Sequence, residues 1–175
     1  NLLMNGNVFL YYGEELGMKG SGKDENKRAP MYWSKDGNAE GMCKGPADMD
    51  DFRMKFDSLE EQQEDPDSIY NYVKQVIRVR NQNPVIARGT TAYLEQYSGE
   101  QCFALTRSDE NSSLLMLGNT SAETATVDLS GLTIGKTAAE ELVLLGELYT
   151  GEETAERTGA EITLPAWSIL ILGEE

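Results

Sequence analysis

The sequence predicts an α+β chain: an apolar strand, a long polar loop and one amphipathic helix, followed by an antiparallel β-sandwich. Three observations carry this. Val8–Tyr12 is an unbroken apolar and aromatic run between Gly6 and Gly13. Ile69, Val73, Val76 and Ile77 recur at helical spacing behind the start signal Asp65-Pro66-Asp67-Ser68. From Ala92 onward, short β-rich runs alternate with turn residues.

Val8–Tyr12 lacks alternation, as a parallel strand covered on both faces does. Gly17 to Pro66 is polar, with six glycines and three prolines. Such a length is too great for an ordinary connection, so it is either functional or packed on another surface. The helix is then opened by a capping carboxylate and a first-turn proline, with Arg78 and Arg80 complementing its negative end. Asn83-Pro84 stops it. Strands are expected at Ala92–Tyr97, Gln101–Thr106, Ser113–Leu117, Thr124–Leu129, Glu141–Leu148 and Trp167–Leu172. The natural boundary is Arg88-Gly89-Thr90, dividing the chain into 1–88 and 89–175.

The chain has 175 residues, 39% of them hydrophobic and 26% charged, an ordinary globular composition. A net charge of −15 makes nucleic acid a poor partner, because phosphate binding needs clustered Lys and Arg. No membrane segment is expected: the apolar run Leu142–Leu148 is short and interrupted. The first residues lack the basic-then-apolar order of a signal peptide. Histidine is absent, which excludes His-containing zinc sites and His-based triads. Cys43 and Cys102 lack metal-ligand spacing and read as two unpaired thiols. Neither a cofactor nor a metal is expected.

Several motifs invite a chemical reading. Glu14 and Glu15 follow the first strand, but a retaining glycosidase needs carboxyl groups about 5–5.5 Å apart across the scissile bond. Neighbours on an extended segment point apart, so the two cannot face each other in that way. Gly17-Met-Lys-Gly-Ser-Gly-Lys-Asp24 nearly matches the phosphate loop G-x-x-x-x-G-K-S/T. Its final Asp repels phosphate and lacks the magnesium-binding hydroxyl, and Pro30 opposes the required helix. Asp48-Met-Asp-Asp51 lacks calcium-loop spacing and reads as a solvated acidic loop. Tyr32, Trp33 and Trp167 could stack on sugar rings; Trp33 could equally anchor packing, and Trp167 is expected in the core of the last strand.

The run Gly6-Asn-Val-Phe-Leu-Tyr-Tyr-Gly-Glu-Glu-Leu-Gly17, followed by Asp24-Glu-Asn-Lys-Arg28-Ala-Pro-Met-Tyr-Trp33, resembles the alpha-amylase family of glycoside hydrolases. There, G-x-P-x-I-Y-Y-G-D/E-E precedes D-x-x-x-R-x-P-M-x-W around the last barrel strand. Val8 replaces the family's usual proline. Ser58-Leu-Glu-Glu-Gln62 and the stretch from Asp67 to Pro84 look like the family's last barrel helix. Leu164-Pro-Ala-Trp-Ser-Ile-Leu-Ile-Leu172 looks like the closing strand of its C-terminal sandwich.

The resemblance implies the tail of a (β/α)8 TIM barrel over 1–88 and an antiparallel Greek-key β-sandwich over 89–175. It implies a retaining enzyme acting on α-glucans, with the catalytic carboxylates upstream of this chain and none to assign here. Asp24 and Arg28 would contact sugar hydroxyls in the donor subsites, which suits their acceptor and donor sets. The bland reading of Arg28 is an ion pair that orders the loop. P-M-x-W points to short maltodextrins, and a transglycosylase such as a trehalose synthase shares these motifs. The rival is a non-catalytic sandwich module that binds carbohydrate or protein. An extracellular or cell-envelope parent is slightly favoured. The isolated chain is expected to be inactive, its helix to dock on the sandwich, and its first strand to pair with another chain or another part of its own.

Overall fold

Strand β3 (Ser113–Asn119) is buried along nearly its whole length, with apolar side chains on both of its faces. Leu115 and Leu117 point one way; Leu114 and Met116 point the other. A strand with two dry faces must lie inside a layered structure, and the computed structural model, which describes residues 1–174, shows those layers. The residues group into two compact units, Asn1–Val8 with Gln75–Glu175, and Phe9–Lys74.

In the first unit, β1 (Thr90–Tyr93), β2 (Cys102–Ser108), β3, β10 (Ser168–Gly173) and β7 (Val143–Leu148) form a five-stranded antiparallel sheet in the order β1-β2-β3-β10-β7. A three-stranded antiparallel sheet joins β4 (Ala125–Asp128), β9 (Glu161–Leu164) and β8 (Glu156–Thr158). β5 (Thr133–Ile134) and β6 (Thr137–Ala138) make a small hairpin. Ala104, Leu115, Leu117, Leu170 and Leu172 of the larger sheet share one core with Val127, Ile162 and Leu164 of the smaller. The opposite face of the larger sheet packs Leu114, Met116 and Ile171 against Val79, Val85 and Ile86. Those last three belong to helices α2 (Ile69–Gln82) and α3 (Val85–Arg88). The helix therefore docks on the sheet, as expected.

Several expectations need correction. Ala92–Tyr97 splits into β1 and a 3-10 turn at Glu95–Tyr97. The strands β8 and β9 were not legible because Glu, Thr and Gly dominate 149–163 and mimic turns. On α2 the buried residues are Val76 and Val79, whereas Ile77 is exposed. Arg80 lies in the last turn of α2, as expected, and its guanidinium also donates to the carbonyls of Leu2, Met4 and Gly6 at 2.8, 2.6 and 2.6 Å. Trp167 is 52% exposed with φ 52°, because the turn between β9 and β10 swings it out of the strand.

The unit Phe9–Lys74 contains 3-10 turns at Glu14–Leu16 and Asp24–Arg28, helix α1 (Leu59–Glu64) and the start of α2. Ser58 opens α1 by donating through its backbone N–H and its Oγ to the Glu61 carboxylate. Gln62 is buried and ties three segments: Nε2 donates to Leu16 O and Asp57 O, and Oε1 accepts from Tyr70 N. Val8–Tyr12 is not a strand, and Phe9 is 85% exposed. A strand exists only as one side of a hydrogen-bonded ladder, and no described segment pairs with these residues.

Candidate functional site

Two glycines shape the turn that follows Tyr12. Gly13 (φ 87°) and Gly17 (φ 63°) flank Glu14–Leu16 in the left-handed region, where side chains are disfavoured. A Cβ on Gly13 would meet Met18 Sδ at 2.6 Å, and one on Gly17 would meet Ile69 Cδ1 and Phe56 Cδ2 at 2.6 Å. The two acids turn back on this segment: Glu15 accepts from Gly13 N–H at 2.8 Å and Glu14 from Tyr11 N–H at 3.3 Å. Both lie on a 3-10 turn and not on the extended segment expected.

The second wall is the Asp24–Arg28 turn. Asn26 at its centre is 4% exposed and fully engaged. Its Nδ2 donates to Ser21 O and Asp50 Oδ2, both at 2.8 Å, and its Oδ1 accepts from Asp50 N–H at 2.9 Å. Lys23 Nζ adds an ion pair to Asp50 at 2.8 Å. The hydrogen bond from Lys23, joined by that from Asn26, holds the Asp50 carboxyl below its usual range. The acidic loop Asp48–Asp51 thus serves partly as a brace, and no metal-binding group of three or more acids or thiols occurs among the described residues.

Between these walls lies a cleft of ≈ 300 Å³, lined among others by Tyr11, Tyr12, Glu14, Lys19, Asn26 and Lys27. The Tyr11 and Tyr12 rings lie 4.8 Å apart with a 43° tilt. Tyr12 Oη donates to Ala29 O at 3.0 Å, stitching one wall to the other. Burial, and then the neighbouring Tyr11, push the Tyr12 phenol up, so it stays a donor. Half-exposed rings beside amines, a carboxylate and a hydroxyl suit a neutral polyhydroxylated ligand.

Asp24 and Arg28 share the turn but do not pair through their side chains. Asp24 holds Lys27 Nζ at 3.0 Å, and the Lys27 hydrogen bond and charge keep its carboxyl below the usual range. Arg28 Nε reaches Asp24 O at 3.4 Å, and Nη2 lies 3.9 Å from Glu25 Oε1. Both are exposed and neither lines the cleft, whereas Asn26 and Lys27 of the same turn do. No sequence motif marks these two or Lys19, and Tyr11 and Tyr12 sit in the run expected to form a strand. Trp33 is 43% exposed, and its carbonyl accepts from Glu60 N at 3.2 Å at the start of α1. Cys43 is an exposed free thiol and Cys102 a buried one, as expected.

Comparison with known proteins gives this cleft a context. Residues 1–89 match the family described as alpha amylase, catalytic domain. The structure of Eubacterium rectale Amy13B is similar over 100% of this chain and 33% of its own, with 40% identity and a TM-score of 0.92. The cyclomaltodextrinase of Geobacillus thermopakistaniensis is 26% identical over 99% of this chain and 24% of its own length. The trehalose synthase of Thermus thermophilus is 27% identical over 73% of this chain and 14% of its own length. The chain spans between 14% and 24% of these curated relatives, and 18% of a Dictyoglomus thermophilum alpha-amylase. With the catalytic-domain match covering just over half of its residues, the chain belongs to the alpha-amylase family of glycoside hydrolases.

Proposed function

We propose that this chain is the C-terminal part of a retaining alpha-amylase-family hydrolase acting on α-glucan oligosaccharides. In this reading, 1–88 closes a catalytic (β/α)8 barrel and 89–175 is its Greek-key β-sandwich. The carboxylates that cleave the glycosidic bond lie on polypeptide outside these residues, and two of them flank the bond as nucleophile and acid/base. What carries the reading is the coincidence of the family match over 1–89 with a cleft built from the same motifs. Asp24 and Arg28, on the turn whose Asn26 and Lys27 line the cleft, contact sugar hydroxyls, Arg28 as donor and Asp24 as acceptor. Tyr11 and Tyr12 offer the apolar surface for a pyranose face.

A second reading is favoured by the likeness to a trehalose synthase: transfer of the glycosyl group to a sugar in place of water. The test is reducing-sugar release from maltoheptaose by the purified chain, alongside a longer form carrying the upstream region. The chain alone is inactive on this reading and the longer form active. Turnover by the chain that disappears in Glu14→Gln would sink it. Disaccharide isomerisation by the longer form, without net reducing-end release, selects transfer.

A further inference from the structure

Trp167, between β9 and β10, is the one non-glycine residue with a positive φ among the described residues, and its side chain is half exposed. At φ 52° a bulky side chain is disfavoured, so glycine or asparagine is the residue expected there. The backbone beneath it is held by buried groups. Asn119, at the end of β3, donates from Nδ2 to Leu164 O at 3.2 Å and to Pro165 O at 3.0 Å. Ser168 is fully buried, and its Oγ donates to Pro165 O at 2.7 Å. Trp167 N–H donates to Ser121 O at 3.2 Å, while Asn119 Oδ1 accepts from the Ser121 N–H and hydroxyl at 2.9 and 2.8 Å. The strained residue is thus clamped from both sides, by 119–121 and by 164–168, and its indole stands on a rigid mount.

Backbone strain that the surrounding structure enforces marks functional positions. Here it keeps a flat apolar ring in water, where the ring is free to stack. The C–H face of a pyranose fits an indole face, and the hydroxyls around its edge need polar partners. Thr120 and Glu123, on the turn that accepts the Trp167 N–H, are exposed, as is Gln101, whose carbonyl accepts from Thr120. They supply a hydroxyl, a carboxylate and an amide. The net charge of −15 disfavours an anionic polymer and suits a neutral one. We propose that Trp167 is a second carbohydrate contact, a stacking platform on the two-sheet unit for the pyranose rings of an α-glucan chain. Its ligand class rests on the α-glucan reading of the cleft. Its position does not, since platform and cleft belong to different units.

The test uses the chain with Trp33→Phe, which leaves Trp167 as the sole tryptophan. Maltoheptaose shifts its emission to the blue saturably, with a Kd of about 1–10 mM, and shields it from acrylamide. Sorbitol at equal mass does neither. In gels containing soluble starch the unmodified chain is retarded, and Trp167→Gly loses most of that retardation. Glycine suits a left-handed backbone, so Trp167→Gly keeps its fold and its Tm; Trp167→Asn serves if glycine loosens the turn. An emission response no larger than that to sorbitol, or equal retardation of the chain and both variants, overturns the platform. In the longer form, a 5-fluorotryptophan resonance assigned through Trp167→Gly also moves with maltoheptaose. A resonance that stays in place means that other polypeptide covers the indole, and overturns the platform too. Hydrolysis by the longer form without a response at Trp167 removes the platform alone. A response at Trp167 without hydrolysis or transfer removes only the reading of the cleft.

Discussion

Asn26 and Asp50 hold each other reciprocally: the Asn26 amide donates to the Asp50 carboxylate at 2.8 Å, and the Asp50 backbone N–H returns a bond to Asn26 Oδ1 at 2.9 Å. Because Asn26 is buried and also bonds Ser21 O, it fixes the cleft-facing turn to two other segments at once. Asn26→Ala should therefore destabilise this unit by about 1–3 kcal/mol. Amide exchange should accelerate across residues 21–29 and 48–51 while β3 stays protected. Unchanged exchange at 21–29 would count against the brace.

The acid limb of stability should be located in the same unit. Three carboxyls there are held low: Asp50 by Lys23 and Asn26, Glu61 by Ser58 and then Lys35, and Asp24 by Lys27. A depressed folded-state value means the stabilisation is complete above the ordinary carboxylate range. It is lost as pH falls through that range and below, between roughly pH 5 and pH 2. Fluorescence of Trp33, read in a Trp167→Phe background, should report loosening on acidification, and Glu61→Gln should flatten part of it. An emission spectrum constant across the range removes the argument.

Gly17 tests the turn after Tyr12. Gly17→Ala combines the cost of a left-handed backbone with a Cβ 2.6 Å from Ile69 and Phe56. The expected loss is about 2–4 kcal/mol. Gly37 also sits at φ 64° but has nothing within 4 Å, so Gly37→Ala should lose only about 1 kcal/mol. Equal losses by chemical denaturation would mean that the packing at Gly17 yields freely.

Phe9 at 85% exposure, with Leu10, Tyr11 and Tyr12 also exposed, forms an apolar run with no strand beside it. Such runs favour association. Sedimentation should show concentration-dependent self-association of the chain, and Phe9→Ser should weaken it. A monomer at millimolar concentration contradicts this.

In the longer form proposed above, Arg28→Ala should lower kcat/KM about ten- to hundred-fold on maltooligosaccharides, the worth of a lost charged hydrogen bond. An activated monosaccharide should be affected less. Equal losses on both substrates would instead point to a loop-ordering arginine, in keeping with its 3.9 Å approach to Glu25.

Local chemistry determined much of this protein in advance. The stop at Asn83-Pro84 set the end of α2 as expected, because proline geometry acts over a few residues. Its start is capped by the Ser68 hydroxyl, which accepts from Asn71 N at 3.2 Å, and not by Asp65, and Pro66 precedes the first turn. Alternating and doubly apolar runs marked β2, β3, β7 and β10, since burial of a strand face is written in its own side chains. Asp24 and Arg28, singled out by motif, share one turn. Tertiary structure decided what depends on distant partners. Val8–Tyr12 has every mark of a strand, yet lacks a ladder to join. Asn26 and Gln62 look like ordinary polar residues until their amides are seen spanning Asp50 or Leu16. Arg107 looks like a surface arginine on an alternating strand, and only the residues folded over β2 bury it. A hydrogen bond across 24 or 104 residues leaves no periodic trace, because it is fixed by how loops cross and not by what flanks each residue.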